Sequence, residues 1–169
     1  ILDEVEQADD AAAGAMAVPR GALSITAPAL FGELHVMPAV LGYLRGHRQV
    51  SLRALLVDRV VNLVDEDIDV AVRIGALPDS SLTAVPVGHV RRVVCAAPGF
   101  LSAHGEPADP ESLHRFCTIT AAMEGRAPQW RFAQAGQTVR LNLQSQLTVT
   151  SFQAAVAAAR EGWGLTQVM

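Results

Sequence analysis

The chain contains no lysine. All 13 of its basic residues are arginine, a bias read here as genome composition rather than chemistry. Set against 17 acidic residues they leave a net charge of −4. Such a balance carries no electrostatic footprint for nucleic acid. Cysteine is scarce as well. Cys95 and Cys117 cannot build a disulfide framework, and both fall in apolar, strand-like runs. Buried free thiols are the expectation, with a redox sensor as the alternative. No apolar run reaches the roughly 18 residues that a membrane helix needs, so no membrane is expected among the partners. The start, ILDEVEQADD, is acidic rather than basic and then apolar, so no signal peptide is visible. A cytoplasmic protein is expected unless a signal sequence lies upstream. Residue 1 is Ile, which suggests a fragment. GxSxG, HExxH and P-loop motifs are absent, and the five histidines and two cysteines show no metal-ligand spacing. No metal, cofactor or catalytic set is therefore expected. Gly162-Trp163-Gly164 follows a helix and precedes a strand, the wrong order for a dinucleotide fingerprint.

What is present is a hydrophobic chain. Half of its 169 residues are apolar, enough for one real core or two small lobes. Its organising stretch is residues 58–75, DRVVNLVDEDIDVAVRIG. Val60, Val61, Val64 and Ile68 recur at helical spacing, which predicts a helix. Asp65, Glu66 and Asp67 load the end of that helix with the wrong charge, so it should stop there. The β-branched run 69–74 follows as a strand, closed by Gly75 and Pro78. Helix followed by an apolar strand predicts a parallel sheet covered by helices.

Residues 1–14 read as a helix tail with a narrow stripe, Ile1, Val5, Ala8 and Ala12. It is either the end of a linker helix that pairs with a copy of itself or a frayed terminus. Residues 22–27 form the first strand. Pro28 suits the first turn of a helix. Leu34, Met37, Leu41 and Leu44 make its apolar stripe, and Pro38 should bend it. Residues 51–57 are a second strand, which completes βαβαβ. Ligands in such sheets lie beyond the carboxyl ends of the strands. Those ends fall at residues 26–29, 57–59 and 74–75.

Further on, residues 82–87 are extended and 92–96 form a strand. Pro98 opens a short helix ending at Gly105. Asp109-Pro110-Glu111 starts another helix. Residues 116–120 form a strand and 123–128 an irregular loop. Trp130/Phe132 and Val139/Leu141/Leu143 alternate around Ala135-Gly136, an antiparallel hairpin. Residues 147–150 form a strand, and Ser151 caps a helix to about Glu161. The expected organisation is a linker-helix remnant over 1–17, a first lobe over 18–89, a second over 90–163 and a return crossing over 164–169. Two lobes joined by two crossings form a clamshell.

Several stretches together resemble the effector-binding domain of LysR-type transcriptional regulators. They are ILDEVEQADDAAAG, GALSITAPALFGELHVMPAV, DRVVNLVDEDIDVAVRIGALPDSS, VRRVVCAAPGFLSAHG and TSFQAAVAAAREGWGL. Asn62 stands where the family often has Asp. The resemblance covers nearly the whole chain. It implies an α/β, two-lobed, periplasmic-binding-protein-like (type II) fold whose first lobe is truncated at its C-terminus, with exposed apolar surface there. It also implies a bacterial regulator that binds DNA through an absent N-terminal winged helix-turn-helix. A linker helix would make it a homodimer or tetramer, and a small effector would lie between the lobes.

The effector site expected on this basis contains Ala27, Pro28, Ala29, Asp58, Arg59 and Gly75 from the first lobe and Thr120, Ser151 and Phe152 from the second. A helix N-terminus behind Pro28 favours a carboxylate through its backbone N–H groups, which suggests a small carboxylate or aromatic acid. For each residue singly the plainer roles remain open: Ser151 as a cap only, Arg59 as a surface charge only. His35 lies opposite the main stripe of its helix. A periplasmic solute-binding protein of a transporter is the alternative function. An enzyme would have only Asp58, Arg59 and Ser151 to work with, so none is expected.

Overall fold

The computed structural model describes residues 18–75, 77, 79–122, 129–134 and 136–169. The expectations for residues 1–17, Pro78, 123–128 and Ala135 lie outside the described residues. Strand β1 (Arg20–Ala27) runs parallel to β2 (Gln49–Leu56) over their whole length and parallel to β3 (Val70–Ala71). The order β2-β1-β3 is that of a parallel α/β unit. A second sheet has the order β4-β9-β5-β8, from β4 (Val93–Cys95), β5 (Thr118–Ala121), β8 (Leu147–Val149) and β9 (Leu165–Val168). Strands β6 (Trp130–Gln134) and β7 (Gln137–Leu141) form the antiparallel hairpin expected from their alternation.

The helical segment after β1 is not one regular helix. It comprises α1 (Ala29–Phe31), a π-helical turn (Gly32–Val36) and α2 (Met37–Gly46). Met37 N–H bonds to the Gly32 carbonyl, five residues back. Pro38 lacks the N–H that would continue the ladder, and the wider turn sits just ahead of it. One extra residue in that turn rotates the face before it against the face after it. The expected stripe is therefore split: Val40 is buried, Met37 and Leu44 half-buried, but Leu34 and Leu41 are exposed. Gly32 lets the helix sit directly on the sheet, since a Cβ there would lie 2.6 Å from Leu56 Cδ2.

The organising stretch also differs from expectation. Residues 58–68 are a loop with one tight turn, not a helix. The Asn62 side chain accepts from Val64 N–H at 3.2 Å and donates to Asp65 at 2.6 Å, so it competes with the helical backbone. Arg53 on β2 then donates to the carbonyls of Glu66 (2.8 Å) and Asp67 (3.2 Å), satisfying them from outside. Val61 and Ile68 are buried, whereas Val60 and Val64 project into solvent. The following strand is only Val70–Ala71, lengthened by Val72 N–H to the Thr26 carbonyl. Asp67 closes the turn at φ 51°, in the left-handed region. Asp67→Gly should raise stability by about 0.5–1 kcal/mol by removing that strain. A thermal melt checks this; a lower Tm would show that the aspartate carboxylate matters more than its backbone.

In the second half, α3 (Pro98–His104) ends at Gly105 with φ 79°. The helix expected at Asp109 is a single 3-10 turn, Glu111–Arg115; Asp109 Oδ1 accepts Ser112 N–H at 2.7 Å. Residues 82–87, expected as an extended segment, form no strand among the described residues. Phe100, Leu113, Trp130, Leu143 and Leu165 form one core cluster, which fastens the hairpin to the second sheet. Helix α4 (Phe152–Arg160) lies on β5 through Ala155, Ala159 and Ile119. Of the two thiols, Cys95 is half-buried and Cys117 is exposed. The expectation of burial failed for Cys117 because it lies just ahead of β5, turned away from Thr118, which is buried. Desolvation pushes the Cys95 thiol pKa up.

Candidate functional site

Strand β1 ends in Ala27, fully buried, and Pro28 turns the chain into α1. Pro28 offers no capping side chain. Asp58 supplies the cap instead: its Oδ1 accepts Ala29 N–H at 3.0 Å. Asp58 can reach because β1 and β2 are in parallel register and Val57 N–H bonds the Ala27 carbonyl at 3.0 Å. Ala27, Pro28, Ala29 and Asp58 thus form one corner. The first free N–H of the helix is already taken by a carboxylate, so an acidic ligand would compete with Asp58 for it.

The facing corner belongs to α4. Ser151 is its N-cap, with Oγ accepting Ala154 N–H at 3.2 Å. The Ser151 hydroxyl also donates to Gln153 Oε1 at 3.1 Å. Gln153 in turn donates through Nε2 to Glu33 Oε1 at 3.3 Å. That bond joins the first turn of α4 to the segment just after α1, and α1 itself touches α4. The two corners, one carrying Pro28 and Ala29 and the other Ser151 and half-buried Phe152, therefore face one another.

Three expected residues are placed differently. Arg59 points to Glu66, with Nη1 and Nη2 on the two carboxylate oxygens at 2.7 and 2.9 Å, and it is exposed. The hydrogen bond from Arg59 holds the Glu66 carboxyl below its usual range, against some desolvation. Thr120 is buried; its Oγ1 accepts Trp130 Nε1–H at 3.0 Å and lies 2.5 Å from Ser145 Oγ. Gly75 is exposed at φ 122°, a conformation that favours glycine. Sequence reasoning missed Glu33 and Gln153, which no motif marks; only the docking of α4 against α1 brings them together. His35 is exposed and packs at a 44° tilt against Phe31, with ring centroids 4.8 Å apart. An open groove of about 790 Å³ lies elsewhere, on the β1–β2 face beside Ser24, Arg53 and Asp67. Among the described residues no three His, Cys, Asp or Glu side chains gather as a metal site. No helix among them is long and apolar enough to cross a membrane.

The family model for the LysR substrate binding domain matches residues 17–169. The chain belongs to that family. Among the curated relatives of this LysR domain is the probable HTH-type transcriptional regulator LtrA of Klebsiella pneumoniae. It is 26% identical over 165 residues, spanning 98% of this chain and 53% of the relative. HTH-type transcriptional regulator DmlR of Escherichia coli is 36% identical over 107 residues, 63% of this chain and 35% of that protein. The chain thus spans about half the length of the first of these relatives. Among solved structures, CrgA, a LysR-type transcriptional regulator from Neisseria meningitidis, superposes with TM-score 0.78 at 23% identity. That match covers 99% of this chain and 56% of CrgA. The regulatory domain of AphB from Vibrio vulnificus gives TM-score 0.74 at 23% identity, covering 88% of this chain and 74% of that domain. The two-lobed, periplasmic-binding-protein-like fold is shared with these regulatory domains.

Proposed function

We propose that this LysR domain senses a small effector in the cleft between Pro28-Ala29-Asp58 and Ser151-Phe152. In the whole protein it would pass that event to an N-terminal DNA-binding part through a homodimer or tetramer. The observation that carries the reading is the Gln153–Glu33 bond, which sets the two helix corners against each other. A ligand held there biases the angle between the lobes only if it binds one geometry better than another. The lobes are residues 18–89 and 90–163, with the return crossing over 164–169. In support, β9 pairs antiparallel with β4, so the chain enters and leaves the second sheet on neighbouring strands. The relatives are transcriptional regulators, which favours a cytoplasmic sensor over an exported solute-binding protein or an enzyme.

Thermal-shift screening of the full-length protein against small organic acids tests this. A stabilising acid is expected, and Phe152→Ala should weaken its binding about tenfold, or roughly 1.4 kcal/mol. Full affinity in Phe152→Ala, with an unchanged melting curve, would place the effector elsewhere.

A further inference from the structure

The stretch after β3 carries a cation that the cleft described so far does not use. Arg73 is half-buried, and one of its terminal nitrogens, Nη2, is fully buried with no hydrogen-bond partner among the described residues. Buried guanidinium N–H groups are rarely left unmatched, because desolvating them is unfavourable without an acceptor. Its location is set by the sheet. Thr26 pairs with Ala71 and Val72 N–H bonds the Thr26 carbonyl, so the same register carried on sets Arg73 level with Pro28. Arg73 therefore stands at the carboxyl end of the strands, where this class of sheet receives ligands.

The acids between β2 and β3 do not supply its partner. Asp58 accepts Ala29 N–H, Asp65 accepts the Asn62 amide, and Asp69 accepts Ser24 N–H at 2.7 Å. Glu66 is held by both terminal nitrogens of Arg59. Asp67 lines the separate groove on the β1–β2 face. The charges that reach Arg73 are those of Arg59, which opposes its own, and Glu66, which favours it. Burial is the larger effect and pushes the Arg73 guanidinium pKa down. Glu66 thus answers three arginines, Arg59, Arg53 and Arg73, but its carboxylate is hydrogen-bonded by Arg59, and Arg73 Nη2 is left unmatched.

We propose that Arg73 is the anion-pairing residue of the cleft and that the effector is a small organic acid whose carboxylate meets this guanidinium. A planar carboxylate matches the guanidinium fork in charge and geometry. The assignment rests on the cleft reading above, but it replaces the helix N-terminus, already capped by Asp58, as the anion receptor.

The test uses the full-length protein with acetate, benzoate and succinate as probes and benzamide as the uncharged twin of benzoate. The acids should raise Tm and benzamide should not. Arg73→Met should abolish the gain, and Arg73→Lys should keep part of it. Without added acid, Arg73→Met should melt at or above the wild-type Tm, because it removes an unmatched group. Three results would each overturn the assignment: no acid stabilises the wild type, the acids stabilise Arg73→Met equally, or Arg73→Met melts lower without acid. Phe152→Ala separates the two readings. A gain lost in Arg73→Met but intact in Phe152→Ala keeps the anion site and removes it from the cleft. The reverse pattern keeps the cleft and removes Arg73.

Discussion

Gly164→Ala should destabilise the domain by roughly 3 kcal/mol, at the upper end for a single added methyl group. Gly164 leads into β9, the strand that lies between β4 and β5. A Cβ there would press on the Cys117 carbonyl oxygen, with the carbonyl carbon 2.8 Å away and Cys117 Cβ at 3.2 Å. The two shortest contacts are with backbone atoms, so no side chain can swing aside to relieve them. The strand has to move, and moving it strains the bond from Leu165 N–H to the Cys117 carbonyl, now 2.9 Å. It also lifts Leu165, 1% exposed, from the cluster of Phe100, Leu113 and Trp130. Gly162→Ala is the control. Gly162 has φ 81° but open space around it, so only the backbone preference is lost, about 1 kcal/mol. Urea melts of the two variants should differ by roughly 2 kcal/mol on these figures. Equal midpoints would mean that the approach of Gly164 to Cys117 relaxes at little cost.

The parts of the fold legible beforehand were those with local causes. Ser151 caps α4 because its oxygen can reach an N–H three residues on, a relation contained in a few residues. The hairpin follows from alternation on both sides of Gly136, and the pairing of β1 with β2 from apolar runs separated by a helical connection. What escaped depended on partners distant in sequence. The turn at 62–67 is fixed by Arg53 from the neighbouring strand, and no periodicity within 58–68 reveals that. The valines do recur at helical spacing, yet Val60 and Val64 face water because the loop never completes a second turn. The stripe on α2 was misread because the π-helical turn before it changes the phase, and a single proline does not announce that.

The site divided along the same line. The Pro28 corner and the Ser151 corner carry helix-start chemistry that is visible in the sequence, and the structure brings the two helix starts together. Asp58 was found as a strand-end acid, but its role as a cap on Ala29 needed the register of β1 on β2. Arg59 was read by position alone, and its bidentate partner Glu66 sits seven residues away on the same loop. Arg73 lies as a charge inside an apolar run, VAVRIG, which by sequence reads only as part of a strand.

Trp130→Ala should cost about 3–5 kcal/mol, the range for deleting a buried large aromatic. Trp130 is 3% exposed and lies in the cluster that joins the hairpin to the second sheet. Its indole also donates to Thr120 Oγ1 at 3.0 Å, and that hydroxyl stands 2.5 Å from Ser145 Oγ. Trp130→Phe separates the two contributions. It keeps most of the apolar area and loses the hydrogen bond, so about 1 kcal/mol is expected. The same network decides what Thr120 does. A hydroxyl buried between Trp130 and Ser145 is committed to holding β5 and the hairpin together, and has no free direction toward an effector. Thr120→Val should therefore lower the unfolding midpoint while leaving the affinity for a stabilising acid within about twofold (~0.4 kcal/mol). A tenfold loss of affinity with an unchanged midpoint would instead put Thr120 on the wall of the cleft, and the network would then have to open when the ligand binds.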